Sequence, residues 1–327
     1  MNRRDAVVAL VALGAAAGSR ATSAQQPGRI WRVGYLALGE AALNSDTSGA
    51  FVKGMRDLGY VEGKNLVVEW RFADGKFERL PDMAADLVRL KVDVIVAVAS
   101  AAIGAAQKAT TTIPIVMAVT GDPVGSGFVK SLARPGGNIT GLSSMGGETG
   151  GKHVELLLSV FPKLSRVGVL VTPTSPTYRA IAENVQGAAQ QAGIKTVVVE
   201  ASTPEEIESA FARLVRENAG AVIVGAAPLF AGQRKQIADL TVKFRLPSMF
   251  GNRSNVEAGG LMSFGGIRSE NYLRSAIYVD KILKGAKPGD LAVEQPTQFE
   301  FVINLRTAKA LGVTIPQAIL LRAEVIQ

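Results

Sequence analysis

Short runs rich in valine and isoleucine recur along the chain, separated by longer stretches whose apolar positions fall at helical spacing. Apolar runs without alternation are what strands buried on both faces require, because the helices that return the chain cover both sides of a parallel sheet. The pattern predicts strands over residues 32–36, 66–70, 92–98 and 113–118, with helices over 48–58 and 79–90 between them. Gly59 stands where the first helix must stop, a position at which a left-handed cap favours glycine.

The second half repeats this order. Residues 166–170 (RVGVL) echo 32–36 (RVGYL), and a helix running to Ala192-Gly193 answers the one ending at Leu58-Gly59. A strand over 196–200, a helix over 204–216 and an apolar strand over 221–225 follow. Leu246-Pro247-Ser248-Met249 then mirrors Ile113-Pro114-Ile115-Val116, and Gly259-Gly260-Leu261-Met262 mirrors Gly136-Gly137-Asn138-Ile139. Repetition in order implies an α/β protein of two Rossmann-like lobes with parallel sheets, with one long doubly wound sheet as the competing arrangement.

Ligands of open parallel sheets bind beyond the carboxyl ends of the strands, so two facing lobes make a cleft. The expected division is lobe 1 from residues 29–141 and 265–296, and lobe 2 from 142–264 and 297–327. The chain is expected to cross near 140–143, near 262–265 and again around 299–304, which nominates Thr140, Gly141, Ser263 and Phe264 as hinge residues.

Length and composition fit this picture. The 327 residues, 47% hydrophobic, exceed what a single core usually organises. The formal charge of +8 is scattered, with no basic run or stripe interleaved with aromatics, so nucleic acid is not expected as a partner. Residues 1–24 read as an export signal: Arg3-Arg4, an apolar run over 7–17, then Thr22-Ser23-Ala24. A membrane anchor is the competing reading, but the run is shorter than the ~20 residues that span a bilayer. Sec and twin-arginine export both stay open. There is no cysteine, which removes disulfides, thiolate catalysis and lipidation of an N-terminal cysteine. The only histidine, His153, is expected at the surface, and a single histidine argues against a metal centre and a serine-histidine triad.

Several segments carry a family resemblance: GMRDLGYVEGKN at 54–65, KVDVIV at 91–96, GDPV at 121–124 and SLARPGGNITGLS at 131–143. YVDKILKGA at 278–286 and INLRTAKALG at 303–312 continue it. The chain resembles the ABC-transporter substrate-binding proteins of the tryptophan/tyrosine-binding type over essentially its whole mature length. The resemblance implies a type I periplasmic binding fold, a periplasmic location, a small-molecule solute, and an ABC permease in the inner membrane as partner. No nucleophile–base pairing, carboxylate pair or metal constellation stands out in the sequence, so neither a cofactor nor an enzymatic activity is expected. The family often has a Gly-Thr-Pro-like turn after the strand ending at Val98, whereas this chain reads Ala99-Ser100-Ala101-Ala102. An amino acid or aromatic compound is the implied solute, and a ligand-sensing or regulatory protein of the same fold without a transport role is the alternative.

Strand ends supply the candidate ligand-binding residues. The Ser100 hydroxyl with the amides of Ala101 and Ala102 suits a carboxylate, and equally suits plain helix capping. Thr120 and Asp122 follow the next strand; Asp122 serves either a ligand ammonium or a turn. Thr174 and Ser175 offer hydroxyls in the second half, and Tyr178 offers an aromatic face for stacking or for packing. Pro228, Phe250 and Asn252 would line the far wall. The run from Gly146 to His153 falls short of a phosphate-binding loop because His153 stands where Ser or Thr is required.

Overall fold

In the computed structural model, which describes residues 29–39, 41, 45–144, 149–175 and 178–327, the first half builds one parallel sheet. Its elements are β1 (Trp31–Ala37), α1 (Ser45–Asp57), β2 (Leu66–Phe72), α2 (Leu80–Arg89), β3 (Val94–Val98), α3 (Ser100–Ala109), β4 (Ile115–Val119) and β5 (Ile139–Gly141). The strand order is β2-β1-β3-β4-β5. The expected strands over 92–98 and 113–118 each start two residues later. Pro114 has no N–H to give a ladder and contributes only its carbonyl, which accepts from Ile95 N.

The second half continues with α4 (Gly150–Val160), β6 (Arg166–Val171), α5 (Tyr178–Gln191), β7 (Lys195–Glu200), α6 (Pro204–Arg216), β8 (Ala221–Val224), α7 (Pro228–Gly232), α8 (Arg234–Lys243), β9 (Ser248–Phe250), α9 (Arg253–Glu257) and β10 (Met262–Gly266). After β10 comes α10 (Arg268–Leu283), which packs back on α1 and β4 of the first sheet. The chain ends with β11 (Phe299–Asn304), α11 (Leu305–Leu311), α12 (Gln317–Leu320) and β12 (Glu324–Ile326). The second sheet has the order β12-β11-β10-β9-β8-β6-β7, with β11 antiparallel to β10 and the other pairs parallel.

Read from β7 inward, the second sheet repeats the order of the first, and the single-sheet alternative is excluded among the described residues. The repeat extends to packing: Gly34 in β1 lies under Leu87 of α2, and Gly168 in β6 lies under Leu214 of α6. At each glycine an added Cβ would press on the leucine side chain, so the glycine lets the helix sit close to its strand. Two apolar clusters flank each sheet, with Tyr35, Phe51 and Tyr272 fully buried at the first and Phe211, Phe230 and Phe250 at the second. Burying each such ring contributes about 1.5–3 kcal/mol.

α6 begins where the sequence places it, because Thr203 accepts from Glu206 N at 3.3 Å while Glu206 takes the Ser202 N–H at 2.6 Å. These bonds satisfy donors that a helix start leaves open. Residues 31–327 form one compact body. The expected export signal over 1–24, and Gly146, Gly147, Glu148 and Pro176, lie outside the described residues.

Candidate functional site

The carboxyl ends of the strands of both sheets open on a shared cavity of about 950 Å³. That is the upper part of the size range of small-molecule sites. The first sheet contributes Leu38 and Gly39 after β1, Ala99 to Ala101 after β3, and Thr120 and Gly121 after β4. From the second sheet come Thr174 and Ser175 after β6, Gly225 to Pro228 after β8, Gly251 and Asn252 after β9, and Gly265 and Gly266 of β10. A Cβ at Gly265 would overlap the Gly251 carbonyl oxygen, so glycine is needed for these two strand ends to meet at the wall.

Seven of the residues nominated from the sequence line this cavity: Ser100, Ala101, Thr120, Thr174, Ser175, Pro228 and Asn252. Ser100 Oγ lies 3.1 Å from Thr120 Oγ1, joining the ends of β3 and β4. Ser100 does not occupy the capping position of α3; Ala99 does, and Ser100 is the first helical residue. Ala99 holds φ 70° and ψ 153°, a conformation that belongs essentially to glycine. This strained corner turns the chain from β3 into α3 and puts the start of the helix at the cavity wall, the end of a helix dipole at which a negative group is favoured. Thr174 Oγ1 is 2.9 Å from Thr172 Oγ1 on the opposite side.

Four other nominated residues stand elsewhere. Asp122 accepts from Gly125 N at 2.7 Å and closes a turn. Ala102 is buried in the core under the first sheet, and Phe250 is buried in the core of the second. The Tyr178 ring packs against the second-sheet core, and its hydroxyl accepts from Arg179 Nε at 3.0 Å. Among the hinge nominees, Thr140 donates to the Leu291 carbonyl at 2.6 Å and Gly141 ends β5. Ser263 and Phe264 sit inside β10, paired with Val302 and Phe301 of β11, and the chain leaves the second sheet after Gly266.

His153 is buried, not at the surface as expected. Its Nε2 lies 2.7 Å from the Phe264 carbonyl oxygen, which fixes Nε2 as the protonated nitrogen and ties α4 to β10. Burial holds its pKa below the ordinary value, and the carbonyl hydrogen bond only partly opposes this. His153 is therefore a neutral imidazole in the cavity wall. Among the described residues, five charged groups of the wall were not expected from the sequence: Arg234, Arg253, Glu257, Arg268 and Glu300. Arg253 pairs with Glu257 at 2.7 Å, with Glu324 at 2.5 Å and with Glu300 at 3.6 Å. Burial raises the pKa of Glu300, and Arg253 opposes that rise. Apolar side chains, including Phe77, Val98, Val119, Ile181 and Ile223, complete the lining.

Such a wall can hold a small amphiphilic molecule by polar contacts at its ends and apolar contact along its length. Among the described residues, no group of three metal-ligating side chains occurs, and no helix is long and apolar enough to cross a membrane.

A family model described as ABC transporter substrate binding protein matches residues 38–326. A curated tyrosine-binding protein from Clostridioides difficile (strain R20291) is 27% identical over 261 residues, 80% of this chain and 75% of that one. A solved conserved domain protein from Vibrio cholerae superposes with a TM-score of 0.87 at 30% identity, covering 91% of this chain and 100% of its own. A solved ABC domain in complex with L-Trp from Streptococcus pneumoniae gives 0.85 at 25% identity, with the same two coverages. The architecture is that of the type I periplasmic binding proteins.

Proposed function

Because the chain belongs to the ABC transporter substrate-binding protein family, whose members bind solutes and are not enzymes, we propose that it is the extracytoplasmic solute receptor of an import system. It captures an amino acid or a related aromatic compound in the cavity between the sheets and presents it to a permease in the inner membrane. The observation that carries this reading is the cavity of about 950 Å³, lined by strand ends of both sheets and by hydroxyl and charged groups among apolar side chains. Relatives named for tyrosine binding and solved with L-Trp support the solute class.

In this reading residues 29–141 and 267–296 form one lobe and 142–266 and 297–327 the other, since Gly265 and Gly266, expected in the first lobe, pair with β11 in the second sheet. The passages between them, after Gly141, after Gly266 and before Phe299, act as the hinge. Ser100 and Thr120 receive a polar group of the solute from the first lobe, and Thr174, Ser175 and Asn252 meet it from the second. Closure around the solute is what the permease recognises.

Thermal denaturation across a panel of amino acids and aromatic acids tests the capture step. A solute at about 100 times its Kd adds about 2.7 kcal/mol to stability. At about 2 °C per kcal/mol, that raises the melting temperature by roughly 5 °C. Absence of any shift across the panel, at millimolar concentrations, would remove the reading.

A further inference from the structure

Among the described residues, Arg268 is a guanidinium of the cavity wall with no carboxylate partner. Arg268 opens α10, a 16-residue helix, and lines the cavity from the side of the first sheet. Among the described residues its contact is the Tyr272 hydroxyl at 3.5 Å, and no carboxylate lies within ion-pair distance. Tyr35 is also close, but burial pushes its phenol pKa up, so it supplies no negative charge. The position aggravates the imbalance, because a cation at a helix N-terminus meets the positive end of the dipole. A partly buried guanidinium without a carboxylate partner, facing a cavity, is placed to receive an anionic group from outside the chain.

Among the described residues, the other two arginines of the wall have closer partners, carboxylates for Arg253 and a neutral backbone carbonyl for Arg234. Arg253 is held by Glu257 and Glu324, and Arg234 donates to the Ala231 carbonyl at 3.1 Å. Among the described residues, the two carboxylates of the wall, Glu257 and Glu300, face Arg253. Neither is left over for an ammonium group.

We infer that Arg268 is the anchor for a carboxylate of the solute, and that the preferred solutes are aromatic acids in which an α-amino group is dispensable. The inference rests on solute capture between the sheets and deepens it: the acid group, and not the zwitterion, decides affinity. A planar guanidinium takes a carboxylate through two parallel hydrogen bonds, which also fixes the orientation of the ring behind it.

Calorimetric titration of the purified protein with L-tyrosine, 3-(4-hydroxyphenyl)propionate and tyramine separates the groups. The two acids are expected to bind with similar affinity, and tyramine at least about 30-fold more weakly, the effect of leaving a desolvated charge unpaired. Arg268→Gln is expected to bring both acids down to the level of tyramine. Arg268→Lys recovers part of the loss, since it restores charge without the fork. The melting temperature of ligand-free Arg268→Gln stays the same or rises, which a merely structural arginine would not allow. Acids that bind Arg268→Gln as they bind the wild type, or tyramine that binds as well as the acids, overturn the anchor and leave solute capture standing. Binding of none of the three by the wild type overturns the anchor, and the panel of amino acids and aromatic acids then decides separately whether capture falls with it.

Discussion

Replacing Ala99 with glycine is expected to stabilise the protein, although glycine usually weakens a folded chain. Ala99 holds φ 70° and ψ 153° between β3 and α3. An L-residue held there costs about 1–3 kcal/mol, because its Cβ meets the backbone on either side. The substitution removes that strain and adds back about 0.5–1 kcal/mol of unfolded-chain freedom. The balance is a gain of up to about 2.5 kcal/mol, centred near 1. The hydrogen bonds of the corner, from Ala99 N to the Val119 carbonyl at 3.1 Å and from Ile103 N to the Ala99 carbonyl at 3.1 Å, use backbone atoms only and survive. Urea unfolding followed by circular dichroism reads the change as a higher midpoint with an unaltered slope. Ala105→Gly, in the middle of α3, is the control and should lose about 0.5–1 kcal/mol. If Ala99→Gly lowers the midpoint as the control does, the corner is not strained and its proposed role in placing the start of α3 at the cavity wall loses its basis.

Two other perturbations address the scaffold. In the folded state His153 is kept neutral by burial, so below pH 6.5 the unfolded chain binds protons that the native one refuses. Stability from this residue is present above pH 6.5 and is lost as the pH falls from there toward the depressed folded value. Melting temperature should therefore drop more steeply between pH 7 and pH 5 in the wild type than in His153→Gln, whose amide can still donate to the Phe264 carbonyl; parallel curves would contradict the assignment. Gly34→Ala and Gly168→Ala should each destabilise by about 1–3 kcal/mol in urea unfolding, since each presses a methyl into the leucine above it. A neutral result at either glycine would show that helix and strand there have room to move apart.

Much of this architecture is legible in the chain because its signals are local. The apolar spacing places α6 at residues 204–216 in sequence and structure alike. The repeat from β1 to β5 in β6 to β10 is visible because each half buries its strands on both faces. Phe299–Asn304 is different: it is apolar enough to be a strand, but only tertiary pairing with β10 makes it antiparallel. That reversal brings Glu300, near the start of β11, opposite Gly265 and to the cavity, where the rule of carboxyl strand ends does not look. Arg268 was findable. It follows β10 directly, and the rule that nominated Asn252 after β9 applies equally there. His153 was misjudged because one histidine in a helical stretch carries no burial signal; its position follows from how α4 packs on β10.

The claim on which the rest depends is that the solute occupies the space between the two sheets. Gly251 lines that space, and a Cβ added there meets no atom within 4 Å, so a large side chain at this position projects into the cavity without disturbing the fold. Calorimetric titration of Gly251→Trp with the best solute of the wild type is the direct measurement. Binding should be lost, by 100-fold or more on the scale where 1.4 kcal/mol is tenfold, while the melting temperature of the ligand-free protein stays near that of the wild type. Undiminished affinity in a folded Gly251→Trp would mean that the solute is held somewhere else.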